Sequence, residues 1–131
     1  MRDIIRVEPL STYLENWQAP TSAVTRPGDT IDVSGFPPFD PATGTIAANA
    51  PTARQAELVL EQMTLCLETA GSSLAHVLTC TVHCTSVEQF AVVHAIYCRY
   101  FPLNPPARTF VNVPAWPGPF DIAIACIAAQ R

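Results

Sequence analysis

Residues 104–131 read NPPARTFVNVPAWPGPFDIAIACIAAQR, and the alternation inside this stretch decides how the chain must fold. Successive side chains of a strand point to opposite faces. In the first half, Arg108, Phe110 and Asn112 therefore share one face, and Val111 and Val113 share the other. In the second half, Phe120, Ile122, Ile124 and Cys126 oppose Asp121, Ala123, Ala125 and Ile127. The segment PAWPGP between them is a Pro/Gly/Trp turn. Two closing strands are predicted, and the first carries an arginine where almost nothing else is charged. An arginine keeps its proton in a protein, so a guanidinium aimed into a crevice requires an anion or water.

Working back from that stretch, the period of the pattern changes twice. HVLTCTVHCTS, residues 76–86, is rich in β-branched residues and reads as a central strand. The following SVEQFAVVHAIYCRYF reads as a helix: Ser86 and Gln89 form a capping box, and Phe90, Val93, Tyr97 and Tyr100 make its buried stripe. Pro102, Pro105 and Pro106 end it. Earlier, Ala56, Val59, Leu60, Met63, Cys66, Leu67 and Ala70 recur at three and four residues, with Thr52 as N-cap and Gly71 as the stop. DTIDVSG, residues 29–35, alternates with Ile31 and Val33 inward and stops at Gly35. FPPFDPATG is a turn-rich loop, and residues 1–28 are interrupted by Pro9, Pro20, Pro27 and Gly28. The order strand, helix, strand, helix, strand, strand predicts a single α+β domain over 1–131, with two helices on one face of a mixed sheet.

Composition narrows the function classes. Apolar residues make up 49% of the chain and charged residues 14%, well below the roughly 25% usual in soluble domains, so part of the apolar surface is expected in a subunit interface. No run approaches the ~18 apolar residues of a membrane span, and residues 1–6 lack the apolar core of a signal peptide. A cytoplasmic protein is expected. The five cysteines show no C-x-x-C spacing and sit in apolar periodic segments, so they read as reduced and buried. His83 and Cys84 alternate and face opposite ways, so no metal site is expected. The net charge is −4 and the seven cations, all arginine, are scattered, which disfavours nucleic acid. With no lysine in the chain, Schiff-base and pyridoxal-phosphate mechanisms are excluded.

VSGFPPFDPATG, a helix ending LETAGSSLAHVL, then TVHCTSVEQFAVVHAIYCRYF, PPARTFVNV and FDIAIACIAA, in that order, resemble the RidA/YjgF family of enamine and imine deaminases over roughly residues 19–129. The resemblance implies a chorismate-mutase-like fold, assembled as a homotrimer around a barrel-like core, with ligand clefts between neighbouring subunits. It implies a cofactor-free hydrolysis of a small imine or enamine carboxylic acid to the keto acid and ammonium. Arg108 would bind the substrate carboxylate, backbone groups near Ser34 and Gly35 would place the substrate, and Phe110, Tyr97 and Thr21 would line the cleft. Phe110 would favour a flat, apolar or conjugated substrate.

The chain departs from the family pattern at three of these positions. Ala123 stands where the family commonly carries a glutamate thought to orient the attacking water, and Ala125 is the next position on that face. Asp121, two residues before Ala123, is about 6–7 Å away at ordinary strand rise, too far to substitute. Thr21 replaces a tyrosine. His94 replaces an asparagine, and imidazole titrates near neutrality, so it is a candidate proton-transfer group. The alternatives are a metabolite-binding protein that kept Arg108 and lost catalysis, an ion pair of Arg108 with Asp121 or Glu88, and a core position for His94 within the helix stripe. Ser34–Gly35 is otherwise a plain strand end, Phe110 interface packing, and Trp116 packing under its turn rather than a cover for the cleft mouth. A ribonuclease reading, also attached to the family, is disfavoured by the acidic charge balance.

Overall fold

Ile31 and Val33 point inward from a strand whose other face carries Thr30, Asp32 and Ser34, and the same alternation recurs along each long strand of one sheet. The computed structural model describes residues 2–130. Its strands are β1 (Asp3–Ile5), β2 (Val24–Arg26), β3 (Thr30–Phe36), β4 (Phe39–Asp40), β5 (Thr45–Ile46), β6 (Val77–Cys84), β7 (Ala107–Asn112) and β8 (Ile122–Ala129). Its α-helices are α1 (Leu10–Asn16), α2 (Thr52–Thr69) and α3 (Phe90–Tyr100). The main sheet has the order β1-β2-β3-β8-β6-β7, and β4 and β5 form a separate hairpin in the turn-rich loop. Every pairing in the main sheet is antiparallel except β6 with β7. A parallel pair needs a crossover, and α3 supplies it. The two closing strands predicted from the sequence are not neighbours, because β6 lies between them.

The α+β class, the mixed sheet and the two long helices stand as the sequence reading has them, and several details are corrected. Residues 1–28 hold two short strands and a third helix, α1, whose Leu10 and Leu14 join the core. The β3 strand does not stop at Gly35 but runs to Phe36 through a register shift between Val33 and Phe36. Two residues, Ser34 and Gly35, there oppose the single Ala125, the geometry of a β-bulge. Thr52 is the first helical residue rather than the cap; Pro51 occupies that position, and no side chain caps the end. Gly71 does stop α2: it adopts φ +85°, with Gly71 N donating to Glu68 O and Ser72 N to Leu67 O, the two bonds of a Schellman turn. The Ser86–Gln89 capping box is present, but it opens a short 3-10 turn that leads into α3. No helix among the described residues is long and apolar enough to cross a membrane.

Register carries the sheet's chemistry. Val33 pairs with Cys126, Cys126 with Cys80, and Cys80 with Arg108, so these four share the helix-covered face. The next row on that face runs Phe36, Ile124, Val82 and Phe110. The opposite face carries Ala125, Thr81 and Thr109 in one row and Ala123, His83 and Val111 in another. That outer face is nearly free of charge and only partly covered, with Ile127 42% exposed.

Cys66, Cys80, Cys84 and Cys126 are buried on the helix side, whereas Cys98 is exposed on α3, against the expectation that all five are buried. Burial pushes the Cys66 thiol up from 9.0 to about 11, and burial likewise raises Cys80, Cys84 and Cys126. The unfolded chain then holds fewer thiol protons than the native one above pH 9, so stability falls as pH rises. We expect the thiols to leave unfolding free energy unchanged from neutrality to about pH 8.5 and to lower it between pH 9 and 11, with Cys66 alone contributing roughly 2–3 kcal/mol. Urea titrations across that range check this; a Cys66→Ala variant with an unaltered slope would remove Cys66 from the account.

Candidate functional site

Arg108 sits at the end of an apolar row on the edge strand β7, where the helix layer ends and the side chain can reach the rim. Among the described residues, no carboxylate lies within ion-pair distance of its guanidinium. The ion pair with Asp121 or Glu88 is therefore absent. Asp121 is held instead by Thr85 Oγ1, which donates to its Oδ1 at 2.9 Å, and by Gln55 Nε2, which donates to Oδ2 at 3.2 Å.

What holds Arg108 is one face of α3. Its Cζ lies 4.9 Å from the Tyr97 ring centroid and 5.6 Å from that of Phe90, both within cation–π range. Its Nη1 lies 3.3 Å from His94 Nδ1. Arginine can only donate, so Nδ1 accepts and the imidazole hydrogen sits on Nε2, which faces Cys98 Sγ at 3.7 Å. Phe90 stacks on His94, with centroids 5.5 Å apart at 20°, and meets Phe110 edge-on at 4.8 Å. Tyr97 is 4% exposed, and burial pushes its phenol well above the usual tyrosine range. The guanidinium is thus oriented by neutral groups, with most of its five N–H donors left for a ligand.

His94 is exposed, so the core position within the helix stripe is overturned. Val93, Ile96 and Tyr97 form the buried stripe, while Phe90 is 39% exposed and Tyr100 half-buried. The reason is geometric: α3 covers the sheet near its edge, so the side of the helix bearing Phe90 and His94 overhangs β7 instead of the core. Phe90, His94 and Tyr97 are spaced i, i+4, i+7, a single helical face that was available in the sequence.

The remaining predicted residues lie elsewhere. Ser34 Oγ donates to Ser22 O at 2.6 Å and lies 3.2 Å from Thr21 Oγ1, beside the bulge. Gly35 is exposed there, and a Cβ built on it would meet Ala125 Cβ at an ordinary 3.6 Å, so nothing inside the protomer requires glycine. Strands β3 and β7 are separated by three inter-strand spacings, about 14 Å in all, and Ser34 follows the helix-side Val33 and so faces the other way. One protomer therefore brings Arg108, His94, Tyr97 and Phe110 together, and Thr21, Ser34 and Gly35 together, without joining the two groups.

The position of the absent glutamate, Ala123, is 2% exposed. Directly across from it in register is His83, whose Nδ1 is buried without a hydrogen-bond partner and whose ring meets Trp116 edge-on at 5.7 Å. Trp116 covers His83 and stacks on Phe120 at 5.6 Å. Sequence reasoning treated His83 only as a metal ligand, because the β6–β8 register was needed to set it beside Ala123.

Fold and site define an α+β protein with an arginine held against aromatic rings and an imidazole at the edge of a mixed sheet. A family model described as Endoribonuclease L-PSP matches residues 15–130. Protein DfrA of Myxococcus xanthus is 40% identical over 98 residues, which is 75% of this chain and 74% of that protein. Reactive Intermediate Deaminase A, chloroplastic, of Arabidopsis thaliana is 31% identical over 83% of this chain and 58% of its own length. The crystal structure of the YjgF gene product of E. coli superposes with a TM-score of 0.79 at 31% identity, covering 86% of this chain and 90% of that one. The chain belongs to the RidA/YjgF family.

Proposed function

We propose that the protein hydrolyses an imine or enamine carboxylic acid to the keto acid and ammonium, in clefts between the subunits of a homotrimer. The observation that carries this reading is Arg108, a guanidinium oriented by His94 and Tyr97 yet lacking any carboxylate partner among the described residues. A substrate carboxylate supplies that partner bidentately, each charge-assisted bond contributing about 1.5–3 kcal/mol. Water then adds to the C=N carbon, the nitrogen takes a proton, and the carbinolamine expels ammonia as the C=O bond forms. Proton transfer in this scheme falls to His94, which contacts Arg108. The chemistry uses only water and an anion anchor and so calls for no metal or organic cofactor.

The trimer is supported by the division of the site. The Thr21–Ser34–Gly35 group and the Arg108 group lie on opposite faces of one sheet, so a neighbouring copy is needed to bring one against the other. The weakly charged outer face around Thr81, Ala125 and Ile127 is the surface such a copy would cover. Four buried thiols fit the reducing cytoplasm as the working compartment.

A second reading, a metabolite-binding protein without turnover, is favoured by Ala123 and Ala125, neither of which can move a proton. One assay separates the two. With 2-iminobutyrate generated in situ by an amino-acid-deaminating enzyme, the deaminase reading expects faster 2-oxobutyrate formation when this protein is added. Unaccelerated formation, with 2-oxobutyrate still bound through Arg108, would establish the binder. Sedimentation at a mass of one or two chains would overturn the trimer.

A further inference from the structure

We infer that Phe90 and Phe110 form an aryl subsite beside Arg108, so that the preferred ligand is a 2-imino or 2-keto acid carrying an aromatic ring on C3. This rests on the carboxylate site proposed above and adds a substrate class to it.

The first support is Phe90. A helix overhanging a sheet edge has no core to bury a phenylalanine in, and this one stays 39% exposed at the first position of α3. It is nevertheless fixed, stacked on His94 and met edge-on by Phe110 at 4.8 Å. Two rigid rings at 73° leave an apolar wall of the kind that an incoming ring meets in a stacked or edge-on arrangement.

The second support is reach. Phe110 is two residues beyond Arg108 on the same strand face, about 6.5 Å along β7. In an arylpyruvate-type acid, three C–C bonds of roughly 1.5 Å each separate the carboxylate carbon from the ring, which sets the ring centre about 5 Å away. A carboxylate on the free guanidinium N–H groups therefore delivers the ring to Phe90 and Phe110. The C2 carbon then lies beside the Arg108–His94 contact, between the carboxylate and the ring. A methyl or ethyl side chain falls short and leaves both phenylalanines wet.

The third support is charge. Among the described residues, Arg108 is the only cation recorded against these rings, and no carboxylate pairs with it. One anion on one cation with a neutral aromatic remainder is the complement of that surface.

The test is calorimetric titration of the full chain with 2-oxobutyrate and with phenylpyruvate. We expect phenylpyruvate to bind at least about tenfold more tightly, the discrimination an apolar pocket ordinarily supplies for this much added apolar surface. Phe90→Ala should bring the ratio of the two dissociation constants close to one, and Phe90→Leu should leave an intermediate ratio. Circular dichroism confirms that each variant is folded. Arg108→Ala should abolish binding of both acids. Equal affinities in the unaltered protein, both lost in Arg108→Ala, would sink the aryl subsite and leave the carboxylate site standing. So would a phenylpyruvate preference that survives Phe90→Ala. Binding of neither acid, or binding indifferent to Arg108→Ala, would sink the carboxylate site itself.

Discussion

Arg108→Ala is expected to lower kcat/KM for an imino acid such as 2-iminobutyrate by roughly 10²- to 10⁴-fold, with little change in thermal midpoint. Two charge-assisted bonds at about 1.5–3 kcal/mol each set that range. The small stability change follows from the contacts Arg108 makes within the protomer: one hydrogen bond to His94 and two ring faces, with no buried ion pair to break. Arg108→Lys keeps the charge but not the planar fork, so it should recover only part of the loss. Steady-state kinetics with a coupled ammonium assay reads the result. A variant retaining more than a tenth of the original kcat/KM would mean that the carboxylate is held by something else.

Gln55→Ala is expected to cost roughly 3–5 kcal/mol of folding free energy. Gln55 is fully buried at the start of α2 and ties the loop before that helix to the residue preceding β8. Its Nε2 donates to Ala50 O at 2.7 Å and to Asp121 Oδ2 at 3.2 Å, and its Oε1 accepts from Asp121 N at 2.8 Å. Removing it leaves a backbone N–H, a carbonyl and a carboxylate oxygen without that partner, and a half-buried charge is the expensive member of the set. The thermal midpoint should fall by about 10 °C or more. Thr85→Val removes only one bond to the same carboxylate and should cost about 1–2 kcal/mol. Equal midpoints for Gln55→Ala and the unaltered protein would show that Asp121 finds water instead.

These two residues mark the limit of what a linear reading reaches. Arg108 was legible because a lone cation among β-formers contradicts its surroundings, and such a contradiction is visible residue by residue. Gln55 was not: it sits within the polar part of an amphipathic pattern, and only the approach of β8 to the start of α2 buries it. His94 reads from sequence as both a core position and a proton-transfer position, since helical period alone cannot tell a face over the core from one beyond the sheet edge. Phe90 reads as a core position for the same reason, yet it stays 39% exposed. His83 was weighed only against its chain neighbour Cys84, while the residue that matters to it, Ala123, is its partner across β6 and β8.

The local elements followed from the sequence itself. Alternation dictated the long strands, the three-and-four spacing dictated α2 and α3, and the Ser86–Gln89 box and Gly71 marked helix ends. All of these are properties of neighbours within a few positions, where backbone geometry leaves few choices. Tertiary structure alone decided that β6 separates the two closing strands, that Arg108 stands on the helix side of the sheet's edge, and that Ser34 and Gly35 face the other way. Those outcomes depend on pairing between segments far apart in the chain. Their order and register are selected by the burial of whole faces at once, a sum over many contacts that no short window contains.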